Sequence, residues 1–176
     1  MAIGFNEVAF LKYCGKNRSF GKTATLGRQR IIYSKYLNQI IKYPKNYDFG
    51  KYHEKLLTEV FNSSSIDVYD NSGFEGANKI LDFGESIKEF DLYDTFIDYG
   101  SSEHIFNISQ SFKNIIQLTK VGGMIIHALP TDNSCGHGFY QISPELFFTT
   151  THPTDGFKPV LPRLIFAKSK AILKKL

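Results

Sequence analysis

Tryptophan is absent, and the two cysteines, Cys14 and Cys135, stand far apart with no CxxC pair. That excludes a disulfide framework and fits a reducing compartment. No run of about 18 apolar residues exists, so nothing in the sequence reads as a membrane span. The N-terminus lacks the basic-then-apolar pattern of a signal peptide, and the protein is expected to be cytoplasmic. Proline is sparse, at six residues, and nothing in the composition argues for disorder. Charge of one sign is also lacking. Twenty-one basic against 17 acidic residues leave a net +4, too mild to imply a nucleic-acid partner. The basic residues gather in two places. One contains Lys16, Arg18, Lys22, Arg28 and Arg30, the other Lys168, Lys170, Lys174 and Lys175. Each reads as a solvated face, or as attraction to an anionic substrate or membrane surface.

What is present is aromatic and apolar. Sixteen Phe and ten Tyr can build a core, and exposed ones could support a homodimer. A chain of 176 residues is the size of one domain, 1–176, with no repeat or linker. Strand-like and helix-like segments alternate along it. Short strands are expected at Thr23–Leu26, Ile66–Tyr69, Lys79–Leu81, Thr95–Ile97, Met124–Leu129 and Arg163–Lys168. Helical spacing runs from Arg30 to Lys42, closed by Pro44, and again from Tyr52 to Phe61. Ser63-Ser64-Ser65 and Asn71-Ser72-Gly73 read as turns. A further helix is expected to start at Ser101 or Ser102, carry Ile105, Ile108, Phe112, Ile115 and Thr119 on one stripe, and end at Gly122-Gly123. Ser143-Pro144-Glu145 opens a short helix. The tail from Leu164 reads as an edge strand followed by an exposed helical turn. The alternation predicts an α/β, Rossmann-like domain: a mainly parallel sheet flanked by helices.

Three successive strands stop at an aspartate: Asp70, Asp82 and Asp98. Ligands of open α/β sheets bind beyond the carboxyl ends of the strands, so acids recurring there point to a binding edge. A nucleoside ligand such as S-adenosylmethionine needs a carboxylate for its ribose hydroxyls after the second strand, where Asp70 sits. It needs a polar acceptor for the adenine amine after the third, where Asp82 sits. It needs close backbone approach after the first, where Gly27 sits. Asp98 completes the row of candidates.

Several stretches resemble class I S-adenosylmethionine-dependent methyltransferases, particularly those associated with bacterial polysaccharide or capsule synthesis. They read TLGRQ (25–29), DNSGFEGANKILDF (70–83), FIDYGSSEHIFN (96–107), KVGGMIIHALP (120–130) and GHGFYQISPELF (136–147). The resemblance implies S-adenosylmethionine as cofactor and a small or glycan-linked acceptor, with O-methylation as the reaction. The chain departs from the pattern in its first loop, where Leu26-Gly27-Arg28-Gln29 has one glycine instead of G-x-G-x-G. Arg28 or Gln29 is placed there to meet the methionine carboxylate.

Taking a proton from an acceptor suits histidine. His53 and His127 read as structural, on a helix face and in a buried strand. His104 and His137 belong to the binding edge and are the candidate bases. Glu103, Tyr140 and Gln141 are candidates for the acceptor pocket. Asp98, Glu103, His104 and His137 offer metal donors, but their spacing matches no standard motif, and no metal is expected. An RNA acceptor is disfavoured, because no Asn/Asp-Pro-Pro-aromatic tetrapeptide occurs. The alternative from another class is a non-catalytic Rossmann-like module that binds a nucleoside or a protein.

Overall fold

A computed structural model describes residues 2–32, 37–42, 48–150, 156–165 and 168–175. Its centre is a seven-stranded sheet. Five strands are parallel: β2 (Gly21–Leu26), β4 (Ser63–Asp70), β5 (Lys79–Ile80), β6 (Tyr93–Asp98) and β7 (Thr119–Pro130). They are joined by an antiparallel pair, β8 (Phe157–Ile165) and β9 (Lys168–Lys175). The order across the sheet is β5-β4-β2-β6-β7-β9-β8, so the last strand in the chain lies inside the edge. The order reverses at β2, between β4 and β6, and that reversal opens a crevice at the carboxyl ends of the strands.

Both faces of the central strands β6 and β7 are buried, which is why Met124–Leu129 reads as a nearly continuous apolar run. Ile97 of β6 and Ile126 of β7 face one core, with Val8, Leu11, Leu56, Leu57 and Phe61. Phe96 and Ile125, one residue earlier, face the other, with Tyr69, Phe83, Ile115 and Leu118. The first core is roofed by α1 (Phe5–Cys14) and α3 (Glu54–Phe61), the second by α4 (Ile108–Leu118). A small third cluster sets Leu129 against Ile142 and Phe147, the last in α5 (Pro144–Thr150).

The segments between β4 and β5 and between β5 and β6 contain no helix among the described residues. The second is instead stitched down by α4. Asn114, fully buried, donates from Nδ2 to the carbonyls of Phe83 (3.1 Å) and Glu85 (2.7 Å). Gln117 donates to those of Ile87 and Glu89, both at 2.9 Å.

Several local expectations are revised. Arg30 and Ile31 form a short strand, β3, pairing with β1 (Ala2–Ile3), and helix follows only at α2 (Leu37–Ile41). Tyr36, Pro44 and His152 lie outside the described residues. Ser63-Ser64-Ser65 begins β4, because Asn62, left-handed at φ 54°, already turns the chain. The helix expected from Ser101 is split into a single 3₁₀ turn, Ser102–His104, and α4. Gly122-Gly123 lies inside β7, where Gly122 at φ 78° accompanies a register shift against β6. Helix α4 stops earlier, at Leu118. The tail is a strand hairpin with no helical turn in its described part.

Candidate functional site

The first loop follows β2 directly. Gly27 has φ 75°, and a Cβ there would lie 2.5 Å from Ser101 Oγ, so only glycine fits without displacement. Ser101 Oγ donates to Leu26 O (2.7 Å), tying the ends of β2 and β6 together. His53, buried just ahead of α3, secures the rest of the loop. Its Nδ1 lies 2.9 Å from Gln29 N and 3.2 Å from Gln29 O, and its Nε2 lies 3.3 Å from Thr25 Oγ1. Burial pulls the His53 pKa below its ordinary value, in keeping with a neutral ring.

Arg28 is committed locally. Its guanidinium pairs with Glu54 (2.5 Å), donates to Glu75 O (2.7 Å) and stacks 4.1 Å from the Tyr52 ring. Neighbouring Arg30 pairs with Glu75 at 3.2 Å. The basic stretch is thus partly neutralised and does not form one continuous cationic face. Gln29 is the better-placed polar group. It is 4% exposed, it lines the cavity, and its Oε1 has no hydrogen-bond partner among the described residues.

These residues form one wall of a cavity of about 580 Å3 at the sheet's carboxyl edge, a volume within the usual range for ligand sites. Asp70 stands at the end of β4, with Oδ1 accepting from Ser72 N–H (3.1 Å). Asp82 follows β5, with Oδ1 accepting from Gly84 N–H (2.7 Å). Each turn fixes one carboxylate oxygen and leaves the other without a hydrogen bond inside the described chain. Tyr69, Phe83 and Ile105 supply apolar wall, and Gly100, Ser101 and His104 close the side beyond β6.

Gly27, Arg28, Asp70, Asp82 and His104 line one cavity. Asp98 does not line it, and its expected cofactor contact gives way to a scaffold role. It is completely buried, and in the sheet register it lies opposite His127. Its Oδ2 accepts from His127 Nδ1 (3.0 Å), and its Oδ1 accepts from the N–H groups of Ser101 (3.2 Å) and Ser102 (3.3 Å). Asp98 thus shapes the loop that carries Ser101 and His104.

The acceptor candidates are also outside the cavity lining. Glu103 is fully buried beneath the 3₁₀ turn. Tyr140 donates its hydroxyl to Phe106 O (2.6 Å), and Gln141 is exposed. His137 sits against His104, with ring centroids 4.9 Å apart and planes near perpendicular. The His104 pKa is lowered, first by partial burial and then by the adjacent His137 ring. Gln29 was expected beside the cofactor through its place in the first loop, whereas Ser101 was read only as a helix start and its place at the site went unrecognised. The usable signal for Ser101 was its position just after the fourth strand of the parallel set.

No family model matches the sequence, and no curated protein matches it. Solved structures do match in shape. A 1,6-didemethyltoxoflavin-N1-methyltransferase from Burkholderia thailandensis, bound to 1,6-didemethyltoxoflavin and S-adenosylhomocysteine, superposes with TM-score 0.60 at 11% identity. That match covers 96% of this chain and 76% of the other. An S-adenosylmethionine-dependent methyltransferase from Aquifex aeolicus gives 0.58 at 7% identity, covering 97% and 90%. One from Clostridium acetobutylicum gives 0.56 at 11%, covering 95% and 89%. At such identities the likeness is one of fold, and the fold is that of the class I S-adenosylmethionine-dependent methyltransferases.

Proposed function

We propose that the chain binds S-adenosylmethionine in the cavity at the carboxyl edge and transfers its methyl group to a hydroxyl of a small or glycan-linked acceptor. The observation that carries this reading is the meeting of Gly27, Asp70 and Asp82 in one cavity, at the ends of adjacent parallel strands. The donor and acceptor chemistry fits. Asp70 has an oxygen available for two ribose hydroxyls, and Asp82 one for an adenine amine. The buried Gln29 amide oxygen suits a methionine ammonium, in an environment where leaving it unpaired costs about 1–3 kcal/mol.

When bound, the cofactor supplies an electrophilic methyl group. The chain's own contribution is positioning and proton handling. Gly27 and Ser101 keep the first loop close to the strand ends, and Asp98 with His127 holds the loop beyond β6. His104 stands at the mouth with His137 behind it, and this pair handles the proton that the acceptor hydroxyl loses.

One observation favours the non-catalytic alternative. The loop has a single glycine, and its arginine is already held by Glu54 and Glu75. Assays with methyl-labelled S-adenosylmethionine and a panel of hydroxylated saccharides separate the two readings. Transfer of label is expected, and His104→Ala combined with His137→Ala should lower turnover by about 10²–10⁴-fold. Full turnover in that double variant would sink the histidine assignment. Cofactor binding with no acceptor labelled would favour the module.

A further inference from the structure

Glu103, His104 and His137 place one carboxylate oxygen and two imidazole nitrogens within 4.8 Å of one another. The two histidine Nε2 atoms converge on the same atom, Glu103 Oε1, at 3.9 Å and 3.6 Å. Both distances are too long for hydrogen bonds. They approach the separation of about 3.4 Å between donors that share a tetrahedral cation with bonds of ~2.1 Å. We propose that these three side chains form a binding site for a first-row divalent metal ion, outside the cofactor cavity and bordering it through His104.

The surroundings are built to hold this geometry. Glu103 is fully buried, whereas the two histidine side chains are about half exposed, at 49% and 48%. The carboxylate is therefore fixed and the open side of the cluster faces outward. The loop that carries His137 is fastened to the 3₁₀ turn that carries the other two. Phe139 N–H (2.7 Å) and Tyr140 N–H (3.3 Å) both donate to Glu103 O. Gly138, at φ 73°, permits that approach. A Cβ there would come within 2.8 Å of Glu103 O and 2.9 Å of its Cγ. The Tyr140 hydroxyl adds a second tie, to Phe106 O.

The donor set selects the ion. Two imidazoles and one carboxylate suit zinc, manganese, iron(II) or cobalt(II), and leave positions for outside ligands. Calcium, which takes six to eight oxygens, is not served by it. If the cavity holds the methyl donor, the open positions lie where an acceptor bearing oxygen donors would enter, and with the ion bound the two imidazoles serve as its ligands and not as proton acceptors. That last step rests on the proposed function, whereas binding of the ion does not.

The test uses the tag-free full chain with Co²⁺ and Zn²⁺ as probes. Visible d–d bands should grow with Co²⁺, saturate at one ion per chain and be displaced by Zn²⁺. His104→Ala and His137→Ala should each weaken binding by ~100-fold or more, since even groups behind metal ligands cost 10–100-fold. Circular dichroism on these half-exposed positions checks that the variants remain folded. Absence of saturable binding in the wild type overturns the site, and so does unchanged binding in the double variant. A parallel S-adenosylhomocysteine titration keeps the two claims apart. Metal binding without nucleoside binding removes the methyltransferase reading and leaves the metal site, and the converse removes only the metal site.

Discussion

His53 uses both ring nitrogens, one toward Gln29 N–H and one toward Thr25 Oγ1, and so joins the first strand, the first loop and the start of α3. Its folded pKa is depressed, so the unfolded chain binds a proton more readily than the folded one. The stability this residue contributes is fully present above the ordinary value of 6.5 and is lost as pH falls from there toward the folded value. Calorimetric melting from about pH 7.5 to about pH 5.5 should show Tm falling, and His53→Asn should flatten that slope. Equal slopes in the two proteins would contradict the assignment. At this scale the sequence was partly legible. Residue type and strand order found Gly27, Asp70 and Asp82, because turn glycines and edge carboxylates mark strand ends. The same rule misread Asp98. A strand-end aspartate can turn inward as easily as outward, and the direction here follows from His127 standing beside it in register. His53 was read as structural on a helix face, but the bridge it makes was invisible, since its partners lie 24 and 28 positions away.

Among the elements, α4 does more than cover the sheet. Asn114 and Gln117 bind four carbonyls of the segment that follows β5, and so stand in for a helix that this connection lacks. Asn114→Ala strands two carbonyls at a buried position and should cost about 1–3 kcal/mol in denaturant unfolding. Because Asp82 and Phe83 lie on the same segment, S-adenosylhomocysteine affinity should weaken with it. An unchanged unfolding midpoint would show that the segment is held by other contacts. The apolar stripe of α4 was readable, but its polar grip was not, because a buried asparagine looks like a surface residue in sequence. Helix α1 buries Val8, Phe10, Leu11 and Cys14 on one face but carries Phe5 and Tyr13 on its exposed side, so the sequence shows little contrast between its faces. The glycine pair 122–123 has the look of a helix stop, yet it serves a strand whose register shifts.

Among the described residues, the molecule is a mainly parallel sheet with its candidate site at the carboxyl ends of the strands. The alternation of segments predicted that architecture, and the strand ends predicted the edge. The placement of β9 between β7 and β8 is set by antiparallel pairing that no local pattern encodes. Among the described residues, no helix is long and apolar enough to cross a membrane. The lysines of the tail lie on β9, not on a helix that could rest upon a membrane surface. Everything proposed for function depends on a nucleoside ligand occupying the cavity bounded by Gly27, Asp70 and Asp82. Calorimetric titration of S-adenosylhomocysteine into the full chain tests this most directly. One molecule should bind per chain, and Asp70→Ala should weaken binding by about 10–100-fold, the worth of a charge-assisted hydrogen bond. No saturable heat from the wild type, or equal affinity in the variant, would contradict the account.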